Sequence, residues 1–448
     1  MARMGGRDPH EKHRAATPLE LFFDLTFVIA FGVAGSQFAH EIAEAHFIPG
    51  LLGFSFAMFA VIWAWINFTW FASAYDTDDW IFRVVTMIQI VGVLILAMGI
   101  EPMFHSLVEG KHVDNAVIVG GYVIMRLALV AQWLRAARQD PAGRETCLRY
   151  ARYLVVVQLG WIAVLFIEAD VPTTLFMIVP LIVLEMATPY AAERKARTPW
   201  HAHHIAERYG LLAIIALGEC LIGAIETLRA IVAAHGWSVD AALVGFGGTA
   251  LAFGMWWIYF LLPAGRALHL RRHRSFLFGY GHIPIFAAIA ATGAGLHVAA
   301  YYIDHEAHIS AAAAVAAIAV PVALFKASLT WLYSAMLGPD RTVISVAVGV
   351  LAALATSVGL AAAGVSVPVC LLVIVLALGA SIVIDERRGS ERLQHALEKL
   401  EAETTAPQRS QSQVRGHQRG PFLRRRGSRS RWCLPHPAGR PALPAATD

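Results

Sequence analysis

Apolar stretches of about twenty residues alternate with short polar breaks along most of the chain. They fall at 19–39, 50–70, 81–100, 116–136, 150–168, 172–189, 208–231, 241–262, 276–300, 311–335, 342–363 and 367–384. About twenty apolar residues is the length that crosses a bilayer as a helix. Backbone groups in lipid must be satisfied within their own segment, so the pattern predicts helices. The expected fold class is an all-α polytopic membrane protein with about twelve transmembrane helices. Composition agrees, because 57% of residues are hydrophobic and only 15% charged, against about a quarter charged in soluble domains. The flanks read differently. Residues 1–17 are polar and basic. Residues 385–405 predict a charged helix with Leu393, Leu397 and Leu400 on one face, suited to a membrane surface or a partner. Residues 406–448 are rich in Arg, Ser, Pro and Gln, cannot bury a core and read as disordered.

Charge along the loops predicts orientation. Arg135, Arg138, Arg144, Arg149 and Arg152 fall on one side, followed there by Arg194, Lys195, Arg197 and Arg208, then Arg266, Arg271, Arg272 and Arg274. The opposite loops hold acids and His, with Lys111 the exception. The positive-inside rule therefore expects both termini in the cytoplasm. The acidic loop Ala74–Trp80 does not disturb this, because the rule counts Lys and Arg. The first apolar segment carries two acids and is followed by more spans, so no cleavable signal peptide is expected. The four cysteines are scattered without a CxxC, which supports neither a disulfide framework nor a zinc site. His201, His203 and His204 lack a completing ligand set, so no metal or cofactor is expected. The basic tail carries no nucleic-acid-binding motif.

The two halves of the span region look related. WAWINF at Trp63–Phe68 is echoed by MWWIYF at Met255–Phe260, and YVIMRLALVAQWL, with Arg126, by PVALFKASLTWLY, with Lys326. Six spans per half is an even number, so the halves share orientation as a parallel repeat, a plan typical of transporters. The expected organisation is 1–17, a first six-helix half 18–189, a basic linker 190–207, a second half 208–384, the charged helix 385–405 and the tail 406–448.

Polar residues inside the spans are the candidates for function. A charged group in the bilayer costs on the order of 2.5–3.5 kcal/mol on insertion scales, so it needs a partner or a task. Glu20 and Asp24 stand four residues apart in PLELFFDLTFVIA and share a helix face. Arg126 and Lys326 lie midway along their spans, and Asp24 and Glu219 are the expected counter-charges. Glu207 and Arg208 open the seventh span, Glu219 lies three turns deeper beside Gly218 and Gly223, and His282 suits a proton relay. The substrate or ion path is therefore expected among Glu20, Asp24, Arg126, Glu207, Arg208, Glu219, His282 and Lys326.

Two stretches carry a family resemblance. TPLELFFDLTFVIAFG at Thr17–Gly32 and AERYGLLAIIALGEC at Ala206–Cys220 resemble the two signatures of the bacterial low-temperature-requirement A family, and WAWINF fits as well. The resemblance covers about residues 10–400. Matching signature positions are Glu20, Phe22, Phe23 and Asp24, then Glu207, Arg208, Gly210, Gly218 and Glu219, with Cys220 where a Ser is common. It implies a multi-pass protein of the bacterial inner membrane linked to growth in the cold, and it carries no reaction. No hydrolase, metalloprotease, P-loop or kinase motif is present, so no enzyme is expected. The leading expectation is a secondary transporter in the lipid bilayer moving an unknown small solute, coupled to protons. The alternative is a non-transport membrane protein that supports cold growth through lipid or partner contacts.

Overall fold

The computed structural model describes residues 3–9, 11 and 14–417, the side chains of 235, 388, 390 and 404–417 excepted. The chain divides into a unit spanning Met1–Leu400 and a second spanning Glu401–Asp448. The helices are α1 (Pro18–Ala43), α2 (Phe47–Tyr75), α3 (Trp80–Met98), α4 (Ile100–Glu109), α5 (Ala116–Gln139), α6 (Arg144–Leu165) and α7 (Val171–Ala192). They continue as α8 (Ala202–His235), α9 (Val239–Phe260), α10 (Ala264–Leu270), α11 (Ser275–Ile303), α12 (Ala311–Leu337), α13 (Arg341–Ala362) and α14 (Val367–His417). Among the described residues, twelve stretches are long and apolar enough to cross a membrane. Two are jointed, α3 to α4 at Gly99 and α9 to α10 before Pro263.

Helix starts follow local chemistry. Thr17 caps α1 and forms a capping box with Glu20, and Pro18 supplies a pre-set first turn. Asp79, Asp170, Ser238, Ser310 and Asp340 cap α3, α7, α9, α12 and α13 in the same way.

Several helices outrun the apolar segments. The apolar pattern starts the seventh span at 208, but α8 begins at Ala202, because His201 caps it by accepting from the His204 N–H. Arg208, counted among the loop bases above, therefore lies inside a span and is fully buried. The predicted charged helix 385–405 is not separate. It continues α14 without a break, and Leu393, Leu397 and Leu400 pack into the core rather than facing lipid. Arg392 pairs there with Asp340 at 3.3 Å. α14 reaches His417, inside the segment read as disordered, and 418–448 lies outside the described residues.

The centre of the bundle is α11, with 78% of its span buried, against 22% for α7 and 28% for α13 at the periphery. α1, α8 and α11 pack against one another. From α1 the neighbours run α1 to α2, α1 to α3, α3 to α5 and α5 to α6. From α8 they run α8 to α9, α8 to α11, α11 to α12 and α12 to α13. Outward-facing Phe176, Val179, Val183 and Val348 leave an apolar exterior that suits lipid tails.

Small residues permit the closest contacts. A Cβ added at Gly121 of α5 would run into the backbone of Leu96 and Gly92 on α3, whereas one at neighbouring Gly120 meets open space. Gly121→Ala should therefore destabilise the protein by about 1–3 kcal/mol through overpacking. Gly120→Ala should leave it unchanged or slightly more stable. Thermal unfolding of both variants in detergent, giving a lower Tm for Gly121→Ala alone, checks this.

Candidate functional site

The first turn of α1 meets the second turn of α8, and four ionisable side chains converge there. Glu20 lies on α1 because its carboxylate completes the capping box, accepting from the Thr17 N–H at 2.8 Å. The carboxylate also reaches across to α8. Its Oε1 accepts from Arg208 Nη1 at 2.8 Å, and its Oε2 lies 3.2 Å from His204 Nε2. One turn further along α1, Asp24 takes the rest of the guanidinium in a fork, with Nε to Oδ2 at 3.0 Å and Nη2 to Oδ1 at 2.5 Å. The Trp65 indole N–H donates to the same Asp24 Oδ1 at 2.6 Å. Glu20, Asp24, His204 and Arg208 are all fully buried. Charges this deep are tolerated only when paired and hydrogen-bonded, and here Arg208 Nε, Nη1 and Nη2 each meet a carboxylate.

The network continues toward the N-terminal segment. Arg14 is buried, lies 4.0 Å from Glu20 and donates to the Ala72 carbonyl at 2.8 Å. Its burial brings the guanidinium down to about 10. The His201 ring lies 2.8 Å from the Glu11 carbonyl, and its backbone N–H donates to Ser73 at 3.1 Å. Asp76, just beyond α2, is buried and accepts the Asp78 N–H at 2.8 Å. Burial, with the nearby Glu20 charge, pushes its carboxyl up to about 6.

Glu219 stands three turns deeper on α8 than Arg208, about 16 Å along the helix axis at 1.5 Å per residue. It is 6% exposed, and neither a base nor a hydrogen-bond donor reaches it among the described residues. Two glycines make room for it. A Cβ on Gly32 of α1 would sit 3.3 Å from its carboxylate, and one on Gly293 of α11 would sit 2.6 Å from its backbone carbon. One turn on, Gly223 packs against the His297 ring. Then Glu226 and His297 line a cavity of about 250 Å³. The α1, α8 and α11 contacts thus carry a file of polar groups, from Arg14 and Glu20 through Asp24, Arg208 and Glu219 to His297 and Glu226.

The other expected residues lie elsewhere. Arg126 and Lys326 do not pair with Asp24 and Glu219. Arg126 bonds Glu185 of α7 at 3.2 Å and also donates to Tyr122. Lys326 bonds Ser381 of α14 at 2.8 Å and lies 3.6 Å from Asp385. Each base is neutralised instead by an acid on another helix, Glu185 of α7 or Asp385 of α14. Glu207 is exposed and accepts the Ala16 N–H at 3.4 Å, so it steadies the N-terminal segment rather than joining the network. His282 is saturated. Its Nδ1 donates to the Phe278 carbonyl at 2.7 Å, which leaves Nε2 to accept from the Tyr259 hydroxyl at 3.1 Å.

The sequence reading left out His204, Trp65, Arg14 and Glu185 as partners. The Thr17–Glu20 spacing of a capping box is a visible signal that α1 begins just after Thr17 and carries Glu20 in its first turn. The indole of Trp65 had no such signal, because an aromatic in an apolar run looks like core.

A multi-span helical bundle that buries ion pairs among its central helices is a polytopic membrane protein. The chain belongs to a bacterial family of this class. The description "Bacterial low temperature requirement A protein (LtrA)" matches residues 15–378, which include Glu20, Asp24, His204, Arg208 and Glu219. A relative from Rhizobium meliloti (strain 1021), an uncharacterized protein, is 26% identical over 300 residues, covering 64% of this chain and 69% of its own. No solved structure matches the chain significantly.

Arg208→Ala would leave Glu20 and Asp24 buried without their counter-charge and should cost about 3–5 kcal/mol. Asp24→Asn keeps the Glu20–Arg208 bond and should cost less, about 1–3 kcal/mol. Thermal unfolding in detergent should rank Arg208→Ala well below Asp24→Asn and both below wild type. For Asp76 the sign follows from its raised value. The folded state holds a proton that the unfolded chain, near 3.8, has released. Its contribution favours folding at low pH and is lost as pH rises through about 6. Wild type should therefore gain Tm relative to Asp76→Asn when both are taken from pH 7.5 to 5.5. Equal responses would contradict the assignment.

Proposed function

We propose that the protein is a proton-coupled secondary transporter in the bacterial plasma membrane, a carrier rather than an enzyme. The observation that carries the reading is Glu219, a carboxylate in the middle of a span with no base or donor beside it among the described residues. An unpaired charge buried there costs several kcal/mol, so a proton or a visiting cation must neutralise it. Ionisable groups at membrane depth mark ion pathways by default. Glu219 also stands midway in the polar file described above. At the N-terminal end of that file, Arg14 Nε and Nη1 and His204 Nδ1 are buried without a protein partner among the described residues. Buried polar atoms are satisfied by something, so this end is suited to water or solute.

Two features support a two-half plan with a moving interface. The sequence of helix neighbours from α1 matches the sequence from α8. The second charge clamp, Lys326–Asp385, lies about 200 residues beyond the first, Arg126–Glu185, in both of its members, as a parallel repeat requires. The loop bases support an orientation with the N-terminal face in the cytoplasm. The complete pairing of Arg208 favours a second reading, in which the charges only hold helices together and the protein aids cold growth through lipid or partner contacts.

Glu219→Gln decides between them. It preserves shape and removes no ion pair, so stability should stay within about 1 kcal/mol of wild type. In proteoliposomes under an imposed pH gradient, wild type should move protons and Glu219→Gln should lose at least tenfold of that flux. In a host strain lacking the protein, the variant should fail to restore growth in the cold at wild-type abundance. Cold growth restored by Glu219→Gln, with no wild-type proton flux, would leave the second reading standing.

A further inference from the structure

We propose that a cleft at the N-terminal face, closed by five aromatic rings and Glu193, binds the ammonium head group of an organic cation. The rings are Trp70 of α2, Trp133 of α5, Tyr150 of α6, and Phe276 and Tyr280 of α11. Glu193 lies one residue past the end of α7. The cleft therefore takes its walls from both halves of the chain.

The walls are held in place by their own bonds. The Trp70 indole donates to the Tyr209 hydroxyl at 2.9 Å, and the Tyr280 hydroxyl donates to the Met186 carbonyl at 2.7 Å. Trp133 and Tyr150 stack in parallel with centroids 4.2 Å apart. The Tyr150 hydroxyl donates to Glu193 Oε1 at 3.1 Å. A pre-set site loses little conformational freedom when a ligand arrives.

The carboxylate sets the class of ligand. Thr198 donates to Glu193 twice, from its hydroxyl at 2.5 Å and its N–H at 3.3 Å. Both go to Oε1, as the tyrosine bond does, and among the described residues no protein donor meets Oε2 and no Lys or Arg pairs with Glu193. Arg197, whose charge acts on it, donates instead to the Arg272 carbonyl at 3.1 Å, and Arg149 donates to the Ala192 carbonyl at 2.7 Å. Burial pushes Glu193 above its ordinary range despite these three donors, as expected of a carboxylate lacking a counter-ion. An anion is repelled here, and a neutral apolar solute would leave Oε2 unmet. Ring faces attract a desolvated cation, and the carboxylate supplies the formal charge.

Size narrows the choice. The cleft is about 30 Å³, beyond the roughly 10–15 Å³ that one water needs but too little for a bulky solute. It fits a primary or singly methylated ammonium whose remaining body lies outside. A free amine and an ethanolamine lipid head group share this chemistry. Glu20, Asp24, Arg208 and Glu219 do not line the cleft, so the site stands whether or not protons move through the network.

The test uses full-length protein in maltoside detergent without added lipid, followed by thermal unfolding and calorimetry. Butylammonium chloride should bind saturably and raise Tm, whereas butanol and potassium chloride at matched concentration should not. Glu193→Gln keeps an oxygen for Tyr150 and Thr198 and should weaken butylammonium at least tenfold. Phe276→Leu, which leaves the carboxylate untouched, should weaken it several-fold and serves if Glu193→Gln does not fold. Glu219→Gln should bind like wild type. Short-chain phosphatidylethanolamine binding tenfold tighter than butylammonium would name lipid as the source, and weaker binding a free amine. Equal binding of butanol or potassium, or unchanged affinity in both cleft variants, would overturn the proposal.

Discussion

The fork of Arg208 between Glu20 and Asp24 is the constraint on which the rest of this structure depends. A guanidinium in an apolar interior is ruinous alone and roughly neutral when every N–H is met. The bond therefore adds little net stability over apolar packing, yet removing any partner is costly. Its effect is geometric. It fixes the rotation and height of α1 against α8, and so places Gly32 over Glu219. Trp65 and Tyr209, packed edge to face beside it at 4.9 Å, carry the same register outward to Trp70 and the aromatic cleft.

The remaining intramembrane bases are arranged so as not to interfere. Arg126 and Lys326 each take an acid from another helix, α7 and α14. These clamps tie outer helices to inner ones within each half. Among the described residues Glu219 has no base beside it, and Arg126, Lys326 and Arg208 are each paired with other acids. An interior in which most charges are locked and one is open differs in kind from one stitched uniformly with ion pairs.

Much of this was legible in the chain. Twelve spans followed from apolar length alone, since lipid permits little but helices. Glu20, Asp24, Arg208 and Glu219 stood out because ionisable groups in apolar runs need a reason. The pairings were not legible. Which acid meets which base depends on helix rotation and neighbour order, and apolar sequence specifies neither. Arg208 looked like a loop base because the hydropathy of α8 begins later than its hydrogen bonding, which starts at the His201 cap. Leu393, Leu397 and Leu400 formed a visible stripe, but a stripe does not say whether lipid or core will cover it. The cleft was illegible for a similar reason, because its rings come from four distant stretches that each read as ordinary packing.

The order of synthesis gives the Arg208 fork a further consequence. Asp24 leaves the ribosome 184 residues ahead of the arginine that neutralises it. At 5–20 residues per second, that separation lasts roughly 10–40 s. Throughout that interval Asp24 has no guanidinium to receive it, and Glu20 has only Arg14, 4.0 Å away in the finished fold. The first hydrophobic segment must wait at the lipid surface, beside the insertion machinery or in protonated form until the seventh segment arrives. Final seating of the first helix is thus a late event, set by translation, and slowing synthesis between the two segments lengthens the exposure of an incomplete bundle.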